Sequence, residues 1–195
     1  MNQMHALVTS AVDPLRTQLR SCSPAKLVDR CVGMRPGKLD SPAAATKFAL
    51  RELARRHRAL DEEVERFDEE LSRLVAKRAP RLVALVGVGT DVAGALLVTA
   101  GDNPDRLRSE ASFAHLCGVS PIPASSGRIH RHRLNRGGDR SANQALWRIV
   151  MVRMSWDERT RAYAARRTSE GLSKREIIRC LKRYVAREIY EVLVA

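Results

Sequence analysis

The residues best equipped for chemistry are a doubled serine before a glycine, Ser125-Ser126-Gly127, followed at once by Arg128, Arg131, Arg133 and Arg136. A serine hydroxyl is a weak nucleophile. It needs a proton acceptor and stabilisation of the charge that develops as it attacks. Guanidinium groups beside it suit a phosphodiester, because they bind non-bridging oxygens bidentately and offset the extra negative charge of a pentacoordinate transition state. From the residues alone, Ser126 (with Ser125 as the second candidate) is either such a nucleophile or an ordinary turn residue in a basic loop. The arginines form a phosphate-binding strip in both cases. His130 and His132 make an H-x-H pair. No cysteine or carboxylate cluster lies near it in sequence, so it reads as a phosphate or structural contact and no metal ligand set is assigned. A Ser-His hydrolase is disfavoured, since no G-x-S-x-G elbow is present and the surroundings suit an anion.

The charge around this stretch points the same way. The chain of 195 residues holds 35 Lys and Arg against 22 Asp and Glu, a formal net charge of +13. Residues 126–187 hold 17 Lys or Arg and 5 Asp or Glu, an excess of 12, so nearly all of the imbalance sits there. Solubilising charge is spread out and mixed in sign. Concentrated charge implies a polyanionic partner, with nucleic acid ahead of a membrane surface. Beyond the loop the candidate nucleic-acid contacts are Arg140, Lys174, Arg175, Lys182 and Arg183. No segment reaches the ~18 uncharged apolar residues of a membrane span, and the N-terminus has no basic region before an apolar run. The 4 cysteines form no CxxC pair and read as reduced, mostly buried thiols. The expected location is cytoplasmic, with no membrane partner.

The elements that must position this stretch read as all-α. Residues 1–40 predict short helices, one starting at Ser23-Pro24, and then a linker through Met34-Arg35-Pro36-Gly37-Lys38. Residues 41–79 predict one long helix opened by Ser41-Pro42. Along it Leu50, Leu53, His57, Leu60, Val64, Phe67, Leu71 and Leu74 are spaced 3-4-3-4-3-4-3. Over about three heptads this is a coiled-coil seam that dimerises the protein, or one long helix packed along its own domain.

Residues 80–195 predict a compact helical domain. Leu82 to Leu97 reads as two apolar helices joined by Gly87-Val88-Gly89, resembling a helix-hairpin-helix. In that motif, Gly87 and Gly89 allow a tight turn with positive φ while backbone N–H groups face a phosphate. A plain helical corner is the other reading. A turn at Gly101-Asp102-Asn103-Pro104 precedes a short helix ending near Cys117-Gly118, and Gly118 to Gly138 is a loop with room for a small hairpin. Helices are expected over Arg140 to Met154 and Glu158 to Ser169. A last one opens with the capping box Ser173-Lys174-Arg175-Glu176.

Several of these motifs, in order, resemble the insertion sequence 110 family of transposases, also called the 116/902 type. The run Gly118-Val119-Ser120-Pro121 through Ser126-Gly127, then Arg131 to Arg140, is similar to the family signature. So are Leu85 to Gly89, Gly101 to Pro104, and Glu170 to Lys174 through Tyr184 to Glu188. The resemblance implies an N-terminal RuvC-like domain with a DEDD set of metal-binding acids, a coiled coil, and a C-terminal domain with a catalytic serine. It implies site-specific recombination of double-stranded DNA, guided by a structured bridge RNA. It places the nucleophile on the serine before the glycine, here Ser126. By the same resemblance Met1 corresponds to a point after the RuvC-like domain. Mg2+ is then expected only in that domain, no cofactor is expected on this chain, and the chain alone is not expected to complete recombination. Two other readings fit the residues: a non-catalytic module that binds nucleic acid, dimerises and modulates a full-length transposase, and an unrelated helical repair or architectural module.

Overall fold

A computed structural model describes residues 1–101, 107–125, 127 and 132–194. Ser126, Arg128, His130 and Arg131, and the turn residues Asp102, Asn103 and Pro104, lie outside the described residues. The expectation of an all-α protein holds: helices dominate, with a single two-stranded ribbon among the described residues. The chain divides into two compact units, Met1–Phe67 and Asp68–Ala195.

The first unit contains α1 (Asn2–Ser10), α2 (Leu15–Leu19), α3 (Pro24–Val32) and the start of α4 (Pro42–Arg78). Helix α3 begins as read, with Pro24 in its first turn, where a missing N–H costs nothing. Helix α4 is capped by Ser41, whose Oγ accepts from the Ala44 N–H at 3.2 Å. Met4, Val8, Leu15, Leu19, Leu27 and Cys31 close over Leu50 and Ala54 of α4.

The second unit contains the end of α4, then α5 (Pro80–Val83), α6 (Thr90–Ala100), α7 (Glu110–Leu116), β1 (Ile122–Pro123), β2 (His132–Arg133), α8 (Arg140–Trp156), α9 (Glu158–Ser169) and α10 (Lys174–Val194). Its core joins Leu82, Leu96, Phe113, Leu146, Ile149 and Ile189. Helix α8 packs against α6, α9 and α10. Ile177, Leu181, Val185 and Ile189 recur every fourth residue of α10 and all are buried, so a single apolar stripe fixes that helix on the core. The expected capping box is present: the Ser173 N–H donates to Glu176 at 2.9 Å, and the Glu176 N–H donates back to Ser173 Oγ at 3.4 Å.

The structure adds detail at two places. The regular seam on α4 does not stay buried or exposed as a unit. Leu50 is fully buried, whereas Leu60, Val64, Phe67 and Leu74 are exposed. Near its C-terminal end the helix turns Leu71 and Val75 to the core, not Leu74. An α-helix has 3.6 residues per turn, so a strict seven-residue pattern drifts off any flat packing surface. The second place is the corner at Gly87-Val88-Gly89. The helix before it is a single turn, and only Gly87 has a positive φ, +81°. Gly89 is extended at φ −86°, ψ 173°, which any residue adopts. A Cβ on Gly87 would lie 3.2 Å from the Ile149 carbonyl oxygen. Glycine is therefore needed there both for the left-handed turn and for the close approach to α8.

Candidate nucleic-acid interface

The stretch that carries the candidate chemistry leaves and re-enters the helical core at a tightly closed base. Gly118, at φ +65°, and Gly138 cross so closely that a Cβ on Gly138 would stand 2.2 Å from the Gly118 nitrogen. Hydrogen bonds close the crossing from both sides. The Asp139 N–H donates to the Leu116 carbonyl at 2.7 Å, and Asn135 Nδ2 donates to the His115 carbonyl at 3.0 Å. Asn143 Nδ2 donates to the Cys117 carbonyl at 2.8 Å. Asp139 also caps α8, accepting from the Ala142 N–H at 2.8 Å. Beyond this base, β1 and β2 pair antiparallel, Ile122 with Arg133 and Pro123 with His132. The small hairpin expected in this loop is thus present.

The cations gather around Lys182 of α10. Its Nζ donates to Asn143 Oδ1 at 2.9 Å. Burial disfavours the charged form and Arg179 repels it, so the lysine pKa is lowered. An ammonium group partly stripped of water, bonded to a neutral amide and surrounded by like charge, is suited to an anion. Two clefts meet at it. One, of about 460 Å³, is lined by Arg136, Arg140, Gln144 and Trp147 besides Lys182. The other, of about 470 Å³, is lined by His132, Arg133, Arg179, Arg187 and Ser120 besides Lys182. On its wall Ser120 Oγ stands 3.3 Å from His115 Nε2. Cys117 is fully buried in the core, and its thiol is pushed up to about 12 by burial first and by Asp139 second, so it is not a nucleophile at neutral pH.

The fold therefore brings together His132, Arg133, Arg136, Arg140, Lys182 and Arg183 of the candidate residues. Arg183 is already engaged with Glu110, at 2.8 Å from Nη2. Lys174 and Arg175 are exposed in the first turn of α10 and line neither cleft. Gly87 and Gly89 belong to the α5–α6 corner, where the first turn of α6 presents Asp91, paired with Arg148. Ser125 is exposed. The sequence reading missed Arg179, Arg187, Trp147 and the two asparagines. Arg179, Arg183 and Arg187 recur every fourth residue of one helix, a spacing that puts them on one face and would have pointed to the outer pair.

Residues 79–165 match the family model described as Transposase IS116/IS110/IS902 family. Over that segment this chain is similar to the transposases of that family. A curated protein of Streptomyces coelicolor, the insertion element IS110 uncharacterized 43.6 kDa protein, is similar to it at 29% identity over 136 residues. The similar stretch is 69% of this chain and 32% of that protein, so the chain spans about a third of the length of the curated relative it matches. The matched transposase segment runs from the last residue before α5 into α9. It includes the closed loop base, both strands, Arg133, Arg136, Arg140 and Trp147. Lys182 follows it in sequence and lines both clefts from α10. Among the described residues no helix is long and apolar enough to cross a membrane, and no three His, Cys, Asp or Glu are grouped to hold a metal ion.

Proposed function

We propose that this chain acts in DNA transposition, gripping DNA phosphates with the cations around Lys182 and attacking a phosphodiester through Ser126, in the segment joining β1 to β2. What supports the reading is the gathering of Arg133, Arg136, Arg140, Arg179 and Arg187 around one half-buried lysine, in clefts that β2 helps to line, in a chain whose residues 79–165 match a transposase family model. In the proposed step Ser126 Oγ bonds to phosphorus and gives up its proton. The bond from phosphorus to one deoxyribose oxygen breaks, and that oxygen leaves and takes up a proton. Arginines at the hairpin base hold the non-bridging oxygens and the charge they gain. A structured guide RNA enters the proposal through the family resemblance. The same cations suit it, because phosphate contacts carry no sequence identity. A second copy paired along the exposed Leu60, Val64 and Phe67 of α4 completes the assembly proposed.

The test has two arms. Titration of the chain with duplex DNA and with structured RNA should give tight, salt-sensitive binding that Arg133→Glu and Arg136→Glu weaken on all sequences alike. Affinity that survives both changes would remove the clefts from the binding surface. In a transposition-competent protein carrying this segment, Ser126→Ala should abolish a covalent protein–DNA adduct. An adduct retained in that variant moves the attack to Ser125 or elsewhere. If wild-type protein binds but forms no adduct, the non-catalytic reading stands.

A further inference from the structure

We infer that Trp147 is a stacking seat for one unpaired nucleobase, which places a single-stranded or locally melted nucleic acid in the cleft between α8 and the loop base. The inference rests on the proposed nucleic-acid reading of the same clefts and specifies the state of the strand they take. Helix α8 builds its core face from Ala142, Ala145, Leu146, Ile149 and Val150, all buried. Trp147 is on the other side and is 45% exposed, so the core does not account for an indole there. It shares its helix face with Arg140 and Gln144, seven and three residues earlier. All three line the cleft of about 460 Å³ that also presents Arg136 and Lys182.

That combination matches the chemistry of a nucleotide part by part. Cations take the phosphate, the flat indole takes the π-face of the base, and the Gln144 amide can donate to and accept from a base edge. Base–aromatic stacking and a basic groove are the two components of single-strand recognition. A base inside a duplex is stacked on both faces and cannot offer one to a side chain, so the seat selects an unpaired base. The cleft volume lies within the ~300–1,000 Å³ of small-ligand sites, which suits one nucleotide.

The experiment uses the full chain carrying Trp156→Phe, which leaves Trp147 as the sole tryptophan of the two present. A fluorescein-labelled oligothymidine reports binding by anisotropy, and an abasic strand of equal length supplies the same phosphates without bases. Duplex DNA is the third probe. Oligothymidine should quench Trp147 emission at saturation, while the saturating abasic strand leaves it unchanged and the duplex quenches it weakly. Trp147→Ala should weaken oligothymidine binding by about 5- to 150-fold, the range of one lost stack, with duplex binding nearly unaffected and Trp147→Phe restoring most of the loss. Equal emission with oligothymidine and abasic strands, both bound, overturns the stacking seat and leaves the phosphate grip intact. No binding of any probe by anisotropy overturns both.

Discussion

At the scale of single residues, the site depends most on positions that carry little side chain. Gly138 has no unusual backbone requirement in its favour, yet it cannot carry a Cβ. The added carbon would meet backbone atoms of Gly118 at 2.2 and 2.3 Å, and backbone cannot swing aside as a flexible side chain can. Gly138→Ala should therefore force the loop base apart, loosening the Asp139–Leu116 and Asn143–Cys117 hydrogen bonds together. Overpacking of this kind costs about 1–3 kcal/mol or more, and a clear fall in Tm should accompany weaker nucleic-acid binding. Gly137→Ala is the matched control, since its Cβ would meet only Asn135 Oδ1, at 3.6 Å. Equal Tm values for the two variants would show that the crossing gives way cheaply. The crossing was not legible in the sequence. Gly118 and Gly138 read as ordinary loop glycines, because a contact between positions so far apart along the chain leaves no local spacing to detect.

At the scale of elements, the helices of the second unit were legible where caps and apolar stripes agree. Ser173 and Glu176 set the start of α10, and Asp157, whose side chain accepts from the Thr160 N–H at 2.8 Å, divides α8 from α9. Helix α4 was legible as a helix and not in its packing, because a 3-4 spacing states which residues share a face and says nothing of what covers it. The structure separates the two answers along one helix. Leu50 is fully buried while Leu60 and Phe67 are 49% and 66% exposed. Leu50→Ala should thus cost about 2–5 kcal/mol, as buried Leu to Ala changes do. Leu60→Ala and Phe67→Ala should leave the stability of a monomer within about 0.5 kcal/mol, as surface changes do. If α4 pairs with a second copy, the latter two should instead lower the mass seen by light scattering from dimer to monomer. An unchanged mass, whether monomer or dimer, would remove the seam as an interface.

At the scale of the whole molecule, net charge and charge placement make different predictions, and salt can separate them. A protein that binds nucleic acid through its overall +13 would weaken alike on removal of any one cation. A protein that binds through the clefts around Lys182 releases counterions only from the phosphates those clefts neutralise, and each such contact contributes about 0.9 to the slope of log affinity against log salt on duplex DNA. Arg133→Ala, Arg136→Ala and Arg140→Ala should each flatten that slope by about one contact. Arg20→Ala, an exposed cation of the first unit, changes the net charge by the same amount and should leave the slope where it was. The two outcomes part cleanly. A slope that falls only for the cleft arginines localises the polyanion to the face that holds the loop base and Trp147. A slope that falls equally for Arg20→Ala makes the attraction a property of total charge, and the clefts then lose their claim to be the binding site.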